Sequence, residues 1–384
     1  MIARYLAMLL SFAAPGGVAD RSNTTDIVVI APRVGEARDR LAKCVARNCP
    51  PTEEIDAALA LAEIQFEAGD YLGARLTVRR TIGRNGRYAS TYPIPVSDLH
   101  RSLARIASHM GEEREARQSA LRISETLKKG LGNNDPRVFG ARFEYVNALL
   151  AMGDPSAMRQ LEAIEREARR AGRRDIVARA QLRQLWIEYL ASPRGSAKDR
   201  LARLARSSRP EDGIVSVGAA TMLAAIHRRE GDNRAAEALI ATIGPVRGSK
   251  RVLLFEPPYK LTFQVPYYQR REEVFTEQLN HPDVTDRSWI DVAFWVEGNG
   301  SVRDVEVVRS GESYEWANPL LEAIKGRRYS ASADGEESYR LERYTYTAPL
   351  MARTGTHLRQ RSPFGRVEYL DLTQDRSGGG ASTL

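Results

Sequence analysis

The sequence predicts an α+β multi-domain protein, an N-terminal α-solenoid of helix hairpins followed by a small ββαβ domain. Three observations predict it. Amphipathic helical patterning runs over residues 36–243, punctuated by Gly69, Gly111, Gly153, Gly195 and Gly231 at spacings of 42, 42, 42 and 36 residues. The pattern changes over residues 244–260, where Gly, Pro and Ser collect. Beyond that point DVAFWVEGNGSVRDVEVV, residues 291–308, alternates apolar and polar residues on both sides of Gly-Asn-Gly, the mark of a strand hairpin. With 42% apolar and 28% charged residues, the chain has the composition of a packed protein and not of a disordered one.

In chain order, residues 1–19 have the plan of a secretory signal: Arg4, an apolar run from Tyr5 to Ala14, and small residues at Gly17 and Ala19. The run is too short to span a bilayer, which takes about 20 residues. Cleavage after Ala19 is expected, and an uncleaved membrane anchor is the alternative. Residues 20–35 are expected to be extended, because Ile27, Val28, Val29 and Ile30 form a β-branched run stopped by Pro32. This run either donates a strand to another sheet or packs on the first solenoid helices. Cys44 and Cys49 are the two cysteines. In an exported chain they are expected to form a disulfide that locks a helix end. No metal site is expected, since no His or further Cys lies near them.

Each repeat glycine follows an amphipathic helix, and an acidic residue stands next to most of them, as in Gly69-Asp70, Gly111-Glu112, Gly153-Asp154 and Gly231-Asp232. Glycine supplies the left-handed turn between antiparallel helices, and the acid caps the second helix. A plain helical bundle does not explain so regular a spacing. Residues 60–82, ALAEIQFEAGDYLGARLTVRRTI, resemble the tetratricopeptide family in the order of Ala, aromatic, Gly-Asp-Tyr and Ala. The other copies are longer than that family's usual repeat.

Residues 244–288 are expected to be a linker with lead-in strands, RVLLF and KLTFQV. In the hairpin, Val292, Phe294 and Val296 share one face, and a shift of parity between Val302 and Val305 predicts a bulge near Arg303-Asp304. Asn318-Pro319 reads as a helix start, with Trp316, Leu320, Leu321 and Ile324 as its apolar stripe. Lys325, Arg327 and Arg328 stand at its C-terminal end, where the helix dipole favours cations. A third strand runs from Ser338 to Thr347. A unit of this size buries one sheet face against its one helix, so the other face and one edge are expected to stay free. Residues 351–384 are expected to be a tail, partly disordered.

The segment over residues 289–348 resembles the C-terminal domain of TonB in its V-x-F-x-V strand, its Gly-containing turn, its G-x-V-x-x-V-x-V strand, the GRRY helix end and its alternating last strand. The resemblance implies that this last strand receives an extended segment of a receptor by strand addition. It makes Tyr339, Arg340, Leu341, Glu342, Arg343, Tyr344 and Tyr346 the partner-binding residues.

All but 7 of the 57 basic residues are arginines, mostly in i,i+4 company with acids, so the formal charge of +8 reads as solvated, salt-bridged helix faces. Nucleic acid is not expected as a partner. The five histidines are scattered, and His109 and His227, beside glycines, read as capping or surface groups. No catalytic constellation and no cofactor motif is found. The expected function is that of an exported, periplasmic, non-enzymatic adaptor for protein partners, with a TonB-dependent receptor or another envelope protein among them. No membrane span is expected after signal cleavage. The alternative is a membrane-anchored TonB-type energy transducer for transport across the outer membrane.

Overall fold

The computed structural model describes residues 30–207, 213–243, 251–259, 288–311, 314–352, 359–362 and 365–373. Helix α1 (Ile30–Ala46) precedes five antiparallel helix pairs. They are α2 (Pro51–Glu67) with α3 (Tyr71–Asn85), α4 (Pro93–His109) with α5 (Glu113–Leu131), and α6 (Pro136–Ala151) with α7 (Ser156–Arg170). Then come α8 (Arg174–Ala191) with α9 (Ala197–Ala205), and α10 (Gly213–Arg229) with α11 (Asn233–Thr242).

The repeat glycines turn the chain as their spacing predicts at four of the five positions. Gly69, Gly111, Gly153 and Gly231 have φ between +66° and +86°, a region where a Cβ meets the carbonyl. Gly195 is the exception, and α8 and α9 are joined through a turn closed by Gly195 N on Ser192 O. Three of the four neighbouring acids cap as expected, and Glu112, at the N-cap of α5, makes no side-chain cap hydrogen bond. Asp70 accepts from Gly73 N, Asp154 from Ser156 N and Asp232 from Ala235 N, at 2.8–3.0 Å. Between the pairs the apolar stripes of successive helices merge. Tyr71, Val78, Val96, Leu99 and Ile106 are buried in one such cluster, each contributing on the order of 1.5–3 kcal/mol.

The N-terminal segment departs from expectation. Ile30 and residues 31–35 are the start of α1 and not extended, because a proline in a first helical turn sacrifices no hydrogen bond. Ile27, Val28 and Val29 lie outside the described residues. Cys44, near the end of α1, is bonded to Cys49, with the Cα atoms 5.2 Å apart.

The C-terminal domain contains β1 (Leu253–Phe255), β2 (Trp289–Val296), β3 (Val302–Ser310), α12 (Asn318–Lys325), β4 (Arg328–Tyr329), β5 (Ser338–Thr347), β6 (Leu350–Ala352), β7 (Arg359–Arg361) and β8 (Arg366–Asp371). Four strands form an antiparallel sheet in the order β3-β2-β5-β8. Two short antiparallel pairs, β1-β4 and β6-β7, flank it. The bulge falls where the parity shift places it, since the β2-β3 register slips between Ala293 and Trp295 and Asp304 has φ 52°. One sheet face, with Ile290, Val292, Phe294, Val296 and Tyr344, packs on Trp316, Leu320 and Ile324. The second lead-in strand, KLTFQV, lies outside the described residues.

Two features of this domain contradict the sequence reading. Arg327 is not a solvated charge on the helix dipole. It is 1% exposed and donates to Glu256 Oε1 (2.9 Å from Nε), Glu342 Oε2 (2.7 Å) and Tyr344 OH (2.7 Å). The stretch assigned to a C-terminal tail supplies β8, which adds to the sheet edge over Glu342–Thr347. VEYL within that stretch alternates, and the two faces of the new strand each meet a core, Val367 one and Leu370 the other.

Candidate interaction site

The strand predicted to receive a partner, β5, lies inside the sheet. Its register with β2 is unbroken from Trp289↔Thr345 to Val296↔Ser338, and β8 occupies its other edge. Leu341 O accepts from Leu372 N at 2.8 Å, extending that closure. The side chains are engaged as well. Arg340 donates to Asp371 (3.0 Å), Glu342 and Tyr344 join Arg327, and the Tyr346 ring lies tilted against Trp316, centroids 5.7 Å apart. Tyr339, 43% exposed, lies edge-on to Trp295.

The second face of the sheet, expected to be free, is covered by the first two helix pairs. Two turns of the array make the contact, and both leave helix C-terminal carbonyls to be satisfied. At the end of α2, Phe66 O and Glu67 O accept from Arg343 at 2.5 and 2.8 Å. At the end of α4, Met110 O accepts from Arg361 (3.2 Å) and Gly111 O from Leu350 N (3.1 Å). The two arginines thus stand where the helix dipoles favour cations. Beyond the second turn, Arg366 pairs with Glu113 at the start of α5.

Arg343 is the centre of the contact. It is fully buried, as is Asp291 opposite it on β2. The two carboxylate oxygens accept from Nε and Nη2 at 2.6 and 2.8 Å, a bidentate pair, and Arg309 adds a second cation at 2.7 Å. Trp289 lies 3.8 Å from the guanidinium. Burial works to lower the pKa of Arg343, but the Asp291 carboxylate and Tyr71 hold it above the usual arginine value. Beside it, Thr345 Oγ1 meets Tyr71 OH (2.9 Å) and His109 Nδ1 (2.8 Å).

The turn glycines serve this contact too. A Cβ on Gly69 would stand 2.6 Å from Trp289 Nε1. One on Gly111 would run into Ala348 O and stand 2.8 Å from Thr347 Oγ1.

Sequence reasoning missed Asp291, Thr345 and His109. His109 is not a capping or surface group but is 1% exposed, edge-on to Phe66 at 4.9 Å. Burial pushes its pKa down to about 3. The unfolded chain takes up a proton near 6.5 and the native chain only near 3. Between these values the unfolded state holds more protons, so stability falls as the pH drops from 6.5 toward 3 and is complete above 6.5. Glu63, pushed up to about 7 by burial and by Glu67, acts in the opposite sense between 4.5 and 7. Comparing His109→Gln with the parent by urea denaturation from pH 7 to pH 4 isolates the histidine. The variant should lose less stability over that interval, and an unchanged slope would contradict the assignment.

No family model matches the chain. No curated protein matches it. Solved structures similar to parts of it include BtubC (BKLC) from P. vanneervenii, at 14% identity over 56% of this chain and 90% of that one, with a TM-score of 0.41. A second is the Rap protein complexed with Competence and Sporulation Factor, at 13% identity over 58% of this chain and 66% of that one, with a TM-score of 0.36. No helix among the described residues is long and apolar enough to cross a membrane.

Proposed function

We propose that the protein is an exported, non-enzymatic scaffold for protein–protein interaction whose helix array carries the partner and whose C-terminal domain braces the array. The observation that supports this reading is where the brace touches. It is hydrogen-bonded to the first and second helix pairs through Arg343, Arg361 and Leu350. It also meets the fifth pair, where Leu254 packs with Ala220 and Ile243 and Arg228 lies 3.8 Å over the Phe255 ring. A repeat array otherwise contacts itself only between neighbours, so its curvature is soft. A domain bound near both ends makes it a defined surface.

The Cys44–Cys49 disulfide supports an oxidising compartment. The sequence of residues 289–348 resembles a TonB C-terminal domain, and that resemblance is the support for an envelope protein as partner. Strand addition at β5 is withdrawn from the reading, because β8 holds that edge.

Photo-crosslinkable residues placed at Tyr145 and Arg179, on α6 and α8, test the proposal in cells alongside one at Tyr339. Adducts to one defined protein from the array positions are expected. Adducts from Tyr339 alone would return the docking role to the sheet. The mass of the mature N-terminus tests release by signal cleavage: a chain beginning at Asp20 is expected, and one beginning at Met1 would point to the membrane-anchored alternative.

A further inference from the structure

Among the described residues the three largest fully buried side chains are arginines: Arg183, Arg327 and Arg343. The chain neutralises two of them with carboxylates, Arg327 with Glu256 and Glu342, and Arg343 with Asp291. Arg183, in α8, has no carboxylate partner among the described residues. Its Nη1 reaches Arg179 O at 3.5 Å, the outer limit of a hydrogen bond, and its Nε has no acceptor.

The surroundings add cation and not anion. Arg183 lies 4.2 Å over the ring of Phe143 on α6, and Arg179 lies 5.4 Å over the same ring. Glu165 of α7 is taken by others, accepting from Gln181 (2.8 Å), Gln184 (3.0 Å) and Arg169 (2.5 Å). Burial, together with the charge of Arg179, pushes the pKa of Arg183 down to about 9. A cation–π contact does not offset the desolvation of a whole guanidinium. One helical turn beyond Phe143, Asn147 Oδ1 is also buried without a hydrogen-bond partner, on the same side of α6 by its spacing. Each of the two helices thus carries a buried polar atom without a hydrogen-bond partner among the described residues.

We propose that the seam between α6 and α8 is a carboxylate-binding site, in which the Nε–Nη2 edge of Arg183 takes the carboxylate of an acidic segment of a protein partner. That edge is closed to solvent in this structure, and its two parallel N–H donors match a planar carboxylate that enters as the seam opens. Arg179, half-buried beside it, steers the anion in, and Asn147 is placed to meet a backbone N–H of the same segment. This site rests on the scaffold reading and names the chemistry of its partner.

The test uses the full chain and poly-L-glutamate of about 20 residues, with binding followed by titration and thermal denaturation. Arg183→Met is expected to weaken binding by about 30-fold or more, the loss that follows removal of one member of a buried charge pair. Arg170→Gln, which removes the same charge from an exposed site on α7, is expected to leave it within about threefold. Without the polymer, Arg183→Met should melt at or above the parent, because a buried unpaired cation has been removed.

Arg183→Lys keeps the charge but not the fork, and serves if the methionine variant does not fold. It too should lose most of the binding, and full retention would overturn the site. So would undiminished binding by Arg183→Met, equal loss in Arg170→Gln, or no binding by the parent. Each of those results leaves the scaffold reading intact, since the crosslink at Tyr145 tests that without removing a residue of the site.

Discussion

Replacing Arg343 with alanine is expected to destabilise the protein by about 3–5 kcal/mol, the usual result of stripping one partner from a buried ion pair. The size follows from what is left behind. Asp291 is 0% exposed and would keep only Arg309, whose side chain is 31% exposed. Glu67 O would lose the guanidinium that meets it at the end of α2, and Phe66 O would keep only Gly69 N among the described donors. The Trp289 ring would lose the cation it covers. Urea denaturation of Arg343→Ala, Asp291→Ala and the double variant gives the coupling. The double variant should be less damaged than the sum of the two single ones, since it leaves no unpaired buried charge. A loss below about 1 kcal/mol for Arg343→Ala, the range of an exposed pair, would mean that the contact between sheet and array does not form.

The second large effect is a difference between two equivalent turns. Gly111 and Gly153 hold the same place in successive repeats, with φ of +72° and +66°. Alanine at either position meets the same left-handed strain, about 1–2 kcal/mol. Around Gly153 nothing lies within 4 Å of the added Cβ. At Gly111 the Cβ meets Ala348 O and Thr347 Oγ1, and backbone must shift to admit it, which costs about 1–3 kcal/mol more. Gly111→Ala should therefore be the more damaging by that margin in denaturant midpoint. Equal losses would place the sheet away from this turn.

The array was legible because its signals are local. A glycine with an acid beside it, repeated at 36 to 42 residues, specifies a turn without reference to the rest of the chain, as at Gly69, Gly153 and Gly231. The bulge at Asp304 was legible for the same reason, as a break in period two. What failed was whatever depends on contacts distant in sequence. Trp289, Ala293 and Trp295 make the second face of β2 apolar as well, and such a continuous run marks a strand covered on both sides. That was the readable sign that the sheet is not half free. Asp291, a single carboxylate within that run, was the sign that a cation must face it. Its partner Arg343 is 52 residues away, and alternation alone does not choose it from among the many arginines of this chain. His109 looked like a surface group because helix ends usually are exposed. Here the end of α4 is capped by the sheet.

Amide hydrogen exchange along β5 tests the central claim most directly, because the amides of a strand held inside a sheet exchange only when the structure opens. With β2 on one edge, β8 on the other and the first two helix pairs over one face, Glu342 to Thr345 should exchange as slowly as the most protected amides of the helix array. Exchange there at the rate of an exposed edge strand, while β2 stays protected, would contradict the account.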